Sequence, residues 1–395
     1  MKRPNRLAGI ALGALMTLAS AGAALAADPI RIGYSIARTG IFAAAAPSQE
    51  NPYLLWQEQV NAAGGLDLPG GEKRPVEFVS YDDQSNPANT VRIYERLITQ
   101  DKVDLLAAPW GTPMHLALAP VLQRYKFPMV GNTAASVQLR KVAPGYIWFT
   151  TSAIPDSMGT EMAAMLKANG MKSVAVLANE LPYAQEFRSF LLPALKEAGI
   201  TVLVDQSYPP DAKDMTSMLV EVKAKAPDAV LALTYPADAF LFTGQARELG
   251  IASPFVLSLI GPTIDAYRKA FGPGANGIVS SAHWSGQATA WPRGKAFFDA
   301  YVTRFGEEPD ALDSAVTWMS MEILQQAVAK AGLDREKLRE AIATGTFDTI
   351  NGTVKFEGVQ NTQTATGFVQ IQDGKIELVW PPAVKTADFK PKQGW

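Results

Sequence analysis

The 395-residue chain has no cysteine and only two histidines, His115 and His283, far apart in sequence. Without cysteine there are no disulfides, so the fold must rest on its own core. With no cysteine ligand and no HExxH pattern, a tight zinc site is not expected. The phosphate-cradling patterns GxxxxGK[ST] and GxGxxG are missing, and so is the GxSxG elbow. Paired acids occur at Asp82-Asp83. On an extended segment such neighbours point to opposite faces and make a poor acid/base pair. Charge of one sign is also lacking. A net charge of −2, with acids and bases interspersed, offers nothing to draw nucleic acid or a membrane surface. The expectation is a protein with no catalytic set, no metal and no cofactor.

A long apolar run occurs only at the start. Lys2, Arg3 and Arg6 precede the uncharged stretch Leu7 to Leu25, and Ala24-Leu25-Ala26 forms an A-x-A cleavage site. This layout predicts a secretory signal peptide over residues 1–26. A membrane anchor is the competing reading, because the stretch is nearly long enough to span a bilayer. The Ala- and Gly-rich core and the cleavage site favour the signal. No cysteine follows that could carry a lipid, so the exported chain is expected to be free. The roughly 370 residues that remain exceed one ordinary domain and predict two lobes.

The rest alternates between strand and helix patterns. Ile30–Ile36 reads as a strand, Leu54–Ala63 as a helix stopped by Gly64-Gly65, and Val76–Tyr81 as a strand. A helix follows from Pro87 to Gln100, then the continuous apolar run Val103–Ala108, a helix over Met114–Tyr125 and a strand at Phe127–Val130. The second half repeats the grammar. Strands are expected at Ser173–Leu177, Thr201–Asp205, Ala229–Thr234 and Phe255–Leu259, and helices at Ala184–Ala198, Met215–Ala226 and Ala237–Leu249. Such alternation implies an α/β fold with a parallel sheet covered on both faces, twice over. A strand near Gly277–Ala282 and a helix over Leu312–Ala331 fit a chain that crosses between lobes more than once. Ligands of open α/β sheets bind at loops after strand carboxyl ends, so a cleft between two such lobes is the natural site.

Several segments resemble the leucine/isoleucine/valine-binding proteins, the type I periplasmic binding proteins of ABC importers. Ile30-Arg31-Ile32-Gly33 leading to Thr39-Gly40 is similar to that family's first strand and loop. Asn61-Ala62-Ala63-Gly64-Gly65-Leu66 resembles its N-x-x-G-G-[IL] helix end, and Tyr81-Asp82-Asp83-Gln84-Ser85-Asn86-Pro87 its D-D-x-x-x-P turn. Asn179-Glu180 followed by Tyr183, and Gln245-Ala246-Arg247-Glu248-Leu249-Gly250, complete the series. The order and spacing are more specific than any single motif.

The resemblance implies two Rossmann-like lobes joined by three crossovers, with residues 28–150 and 283–355 in one lobe and 151–282 and 356–395 in the other. It also implies a periplasmic monomer that captures a small ligand for an ABC permease. The family's carboxylate cradle falls on Trp110-Gly111-Thr112 and its second anion loop on Thr133-Ala134-Ala135, with Ser136 beside it. Thr112, at a helix start, is a sound anion site on physical grounds alone. The second lobe's pocket tyrosines fall on Tyr183 and Tyr235. The family's acid for a ligand ammonium is absent after Phe255–Leu259, where the chain reads Leu257-Ser258-Leu259-Ile260-Gly261. Asp313 or Asp238 could replace it. Otherwise the ligand is an aromatic or aliphatic carboxylate without an ammonium, a reading favoured by the aromatics Phe42, Trp110 and Trp284. His115 is expected at a rim or helix surface, and Asp82-Asp83 to fix a turn. The rivals from other classes are a two-lobed dehydrogenase, disfavoured by the missing Gly-rich fingerprint, and a receptor or sensor of the same fold.

Overall fold

The structure is a computed structural model that describes residues 28–142, 145–152, 154–286, 292–364 and 367–395. The expected signal peptide lies outside the described residues. The chain opens with β1 (Ile30–Ile36), α1 (Ala46–Ala62), the small hairpin β2–β3 (Leu66–Asp67, Lys73–Arg74), β4 (Val76–Asp82) and α2 (Pro87–Thr99). β5 (Leu105–Ala107), α3 (Thr112–Tyr125), β6 (Met129–Gly131) and β7 (Ile147–Phe149) follow. A second series comprises α4 (Pro155–Ala168), β8 (Ser173–Asn179), α5 (Pro182–Ala198), β9 (Thr201–Tyr208), α6 (Thr216–Lys225), β10 (Ala229–Leu233) and α7 (Pro236–Leu249). It ends with β11 (Phe255–Ser258), α8 (Asp265–Phe271) and β12 (Ile278–Ala282). Three helices come next, α9 (Pro292–Phe305), α10 (Asp313–Ala331) and α11 (Arg335–Thr344). The last strands are β13 (Thr346–Thr349), β14 (Gly352–Glu357), β15 (Gln360–Asn361), β16 (Gly367–Gln372) and β17 (Lys375–Trp380).

These strands form two main sheets. The first runs β13-β14-β15-β7-β6-β5-β1-β4 and the second β17-β16-β12-β11-β10-β8-β9. Within the first, β4, β1, β5, β6 and β7 are parallel; within the second, β9, β8, β10, β11 and β12 are. Each parallel core thus has the same doubly wound order, with helices on both faces, as the alternation predicts. The strand interiors explain why: Val174 to Ala178 and Ala229 to Leu233 are fully buried, as apolar strands covered on both sides must be. The chain passes to the second sheet after β7, returns after β12 and passes again after β15, which makes three crossovers. The last passage comes later than the expected boundary at 355/356, because β14 and β15 extend the first sheet.

Two details of this frame matter for the site. The helix expected from Leu54 begins instead at Ala46 and carries Pro52 inside it. The extra turns bury Gln49 and Tyr53 beneath the loops after β5 and β6. The D-D-x-x-x-P turn also has a defined task. Asp82 accepts N–H bonds from Arg38 and Gln84 at 3.0 and 2.8 Å, and Asp83 accepts from Ser35 Oγ at 2.7 Å and Ser85 N at 3.0 Å. Asn86 then caps α2 through Ala88 N at 2.8 Å. This ties the end of β4 to the loop after β1. Gly40 is needed there: its φ is +88°, and a Cβ would come within 2.5 Å of Ser85 Oγ.

Candidate functional site

In both sheets the strand order reverses beside the first strand of the parallel core. The crevice lies between β1 and β5 in one lobe and between β8 and β10 in the other, and such points are where doubly wound sheets bind ligands. Phe42 lies in the loop after β1, Trp110 after β5, Tyr183 after β8 and Tyr235 after β10. The four switch-point loops face one another across the interface of the lobes. Phe42 packs on Trp110 at 4.9 Å between ring centroids and on Tyr235 at 5.8 Å, and Trp110 meets Tyr235 edge-on at 6.4 Å.

Beside these rings lies a cavity of about 40 Å³, lined by Trp110, Gly111, Thr112, Thr133, Ala134, Ala135, Thr151, Tyr183, Tyr235, Ile260, His283, Leu312 and Asp313. One water needs about 10–15 Å³, so the lobes as they stand leave room for more than a single water. A roomier groove of about 640 Å³, lined among others by Ile371, Lys392 and Trp395, lies at the C-terminal segment, away from the switch points. The cavity is preferred as the site because loops of both sheets converge on it.

Nine residues singled out in the sequence line that cavity: Trp110, Gly111, Thr112, Thr133, Ala134, Ala135, Tyr183, Tyr235 and Asp313. Phe42 does not. It is 2% exposed and backs Trp110 and Tyr235 from behind. Trp284 is also elsewhere, buried against Phe297 and Phe298 at 5.9 and 6.0 Å. Thr151, Ile260, His283 and Leu312 were not singled out. Ile260 lies two residues after β11 and His283 directly after β12, so their position after a strand end was the available signal; Leu312 adjoins Asp313.

The first-lobe wall is held by backbone bonds. Gly111, at φ +91°, turns the chain from β5 into α3, a conformation that favours glycine. Its N–H donates to Thr133 Oγ1 at 2.9 Å. Thr112 Oγ1 accepts from Ala135 N at 3.1 Å and donates to Ala135 O at 3.3 Å. The Thr112 hydroxyl therefore braces the two cradle loops against each other. Beneath them is a polar floor. Gln49 Nε2 reaches Ala108 O, Pro109 O and Asn132 Oδ1, each at 3.0 Å. His115 is not at a rim but fully buried in that floor. Its Nδ1–H donates to Gly111 O at 2.9 Å and its Nε2 accepts from Asn132 N at 3.3 Å, which defines the neutral tautomer. Burial pushes its pKa down to about 4, opposed by the Gly111 hydrogen bond.

Asp238 and Asp313 are both buried acids, with different surroundings. Asp238 Oδ2 accepts from Asn179 Nδ2 at 3.0 Å and Tyr208 OH at 2.5 Å, and Oδ1 accepts from Tyr235 N at 3.0 Å. It is satisfied behind the wall and does not reach the cavity. Asp313 opens α10, which packs on α1 and so belongs to the first lobe. Its Oδ2 accepts from the Trp110 indole Nε1–H at 2.8 Å. Among the described residues no Lys or Arg lines the cavity. Burial first, and the neighbouring Asp310 carboxyl second, raise the Asp313 pKa well above its usual range. The Tyr183 hydroxyl is pushed up by burial and then by Asp313 itself.

Two lobes of like topology with a cavity at their facing switch points define a binding protein of the two-lobed periplasmic type. Comparison with known proteins agrees. The family described as periplasmic binding protein matches residues 29–375, and the chain belongs to that family. A Leu/Ile/Val-binding protein homolog of Brucella melitensis is 23% identical, over 94% of this chain and 96% of its own length. A solute-binding protein of an ABC transporter from Rhodopseudomonas palustris, solved with 3,4-dihydroxybenzoic acid, superposes with a TM-score of 0.77. It is 23% identical, covering 92% of this chain and 98% of that one. A leucine-binding protein from Thermotoga maritima gives 0.78 at 22% identity, covering 88% and 97%. No helix among the described residues is long and apolar enough to cross a membrane.

Proposed function

We propose that this chain is the solute-capturing component of an ABC importer, exported to the periplasm through residues 1–26, acting as a monomer without catalysing a reaction. Its lobes close on a small apolar amino acid and present it to a membrane permease. The observation that carries the ligand class is the Asp313 carboxyl: buried in the cavity wall and hydrogen-bonded to an indole N–H, with no Lys or Arg among the described residues that line the cavity. A buried carboxylate without a counter-charge is costly. A ligand ammonium supplies that charge, and the faces of Trp110 and Tyr235 add a cation–π contribution. At the other end the start of α3 suits a carboxylate, while the Thr133 and Ala135 N–H groups, donated to Asn132 Oδ1 and Thr112 Oγ1, hold the cradle loop in place. Tyr183, Tyr235, Ile260 and Leu312 suit an apolar body. The relatives named for leucine, isoleucine and valine support this reading.

A second reading rests on the same carboxyl. With its pKa raised, Asp313 can stay protonated and donate to a ligand carboxylate, which fits the relative solved with an aromatic acid. Calorimetric titration of leucine and 4-methylpentanoate, each in two buffers of different ionisation enthalpy, separates the two. Leucine binding tighter and releasing a proton from Asp313 supports the ammonium reading. Tighter binding of the des-amino acid without proton release overturns it.

A further inference from the structure

The lobes touch at a second place, just outside the cavity. Glu186 lies on α5 of the second lobe, one turn after the wall residue Tyr183. Its Oε1 accepts from Ser136 Oγ at 2.7 Å and its Oε2 from Val137 N at 2.9 Å. Gln138 Nε2 lies 3.4 Å from Oε1. Ser136 and Val137 continue the first-lobe loop whose preceding residues, Thr133 to Ala135, line the cavity. Ser136 is fully buried, and its Oγ also accepts from Gln138 N at 3.1 Å, so the hydroxyl is aimed at Glu186 by its own loop. One second-lobe carboxylate thus holds three donors of the first lobe. A further inter-lobe pair, Arg140 with Asp156, is bidentate at 2.6 and 3.2 Å. It is about half exposed on the arginine side and sits where α4 leaves the first crossover, so water and salt weaken it and opening moves it little.

We infer that Glu186 is a closure-determining residue: it latches the two lobes through Ser136 and Val137 and sets how slowly bound solute escapes. The contact forms only when the lobes meet, because its donors and its acceptor belong to different sheets. It touches neither the cavity nor its ligand, so it acts on the lifetime of the closed form and leaves encounter with the open cleft unchanged. Charge-assisted bonds to a carboxylate are strong enough for this. The inference rests on the reading of the cavity as the solute site, and the test separates the two.

The test uses Glu186→Ala, Glu186→Gln and Ser136→Ala in the full exported chain. Stopped-flow dissociation of leucine, or of benzoate should leucine not bind the wild type, should be roughly ten- to hundred-fold faster in Glu186→Ala, with the association rate not lowered. Glu186→Gln keeps acceptor oxygen and should recover part of the loss. Ser136→Ala should add little to Glu186→Ala, since both remove the same bond. Inter-lobe distances from paired fluorophores, measured without solute, should shift toward the open form in Glu186→Ala while thermal unfolding stays as in the wild type. An unchanged dissociation rate, or an equal fall in association and dissociation, overturns the latch. If neither probe binds the wild type, the site reading fails, and the solute-free distances still decide the latch: a shift supports it and none overturns it.

Discussion

The two walls of the cavity come from sheets of one topology and from corresponding loops, yet their chemistry differs. The first-lobe wall is polar. Thr112, Thr133, the Ala135 N–H and Asp313 converge there, over a hydrogen-bonded floor of Gln49, Asn132 and His115. The second-lobe wall is Tyr183, Tyr235, Ile260 and His283, and its acid Asp238 is turned inward to Asn179 and Tyr208. The same fold therefore divides the work. In the proposed reading the first lobe carries the groups that meet ligand charge, and the second supplies aromatic and apolar surface that shuts water out and strengthens those contacts.

That division can be broken most sharply at Asp313. Asp313→Asn should weaken leucine binding by about 3–5 kcal/mol, the cost of stranding one member of a buried ion pair, and leave 4-methylpentanoate unaffected. Isothermal titration of both solutes reads the difference. Tyr235→Ala, on the opposite wall, should lower both affinities together by about 2 kcal/mol or more, as loss of a central aromatic anchor does. A selective loss there would show that the second lobe also reads charge. Thr112→Val should cost about 1–3 kcal/mol toward a carboxylate, because Ala135 N–H loses its acceptor and the cradle loses its brace; leucinamide should be weakened less.

The smallest effect concerns the two histidines, His115 beneath the first-lobe wall and His283 in the second-lobe wall. Burial lowers His115 and His283 to about 4 from the ordinary 6.5. A depressed folded-state pKa means that the unfolded chain binds the proton first. Their contribution is complete above pH 6.5 and is lost as pH falls toward 4, by about 1 kcal/mol each near pH 5.5. Melting curves across that range should flatten in part for His115→Asn and in part for His283→Asn. Equal flattening would mean that the two lobes respond alike to acid.

Much of this was legible in the chain. The strand and helix alternation from Ile30 to Leu259 sets the two parallel cores, since buried strands and amphipathic helices leave short-range patterns. Strand-end reasoning pointed to the cleft, the resemblance named Trp110, Thr112, Tyr183 and Tyr235, and all four line one cavity. It failed where local pattern and environment disagree. Pro52 concealed the first turns of α1, although neighbouring packing tolerates it inside the helix. The strands β13 to β17 are short; β13 and β14 do alternate, but which sheet such a strand extends is not a local property. Phe42 and Trp284 looked equally suited to a ligand, and only packing showed that one backs the wall while the other belongs to a separate aromatic cluster.

The sequence alone determined the α/β class, the loops that carry the site and the glycines at positions 40 and 111 that let those loops turn. Tertiary structure decided the contacts that join distant segments: Trp110 with Asp313, 203 residues apart, and Ser136 with Glu186, 50 apart. The physical reason is range. Helix and strand periodicity record interactions a few residues apart, whereas the fate of a buried carboxyl depends on which donors the folded chain brings to it. Asp238 and Asp313 are the same residue type near helix starts; three donors satisfy one, and the other faces the cavity beside the Trp110 indole N–H.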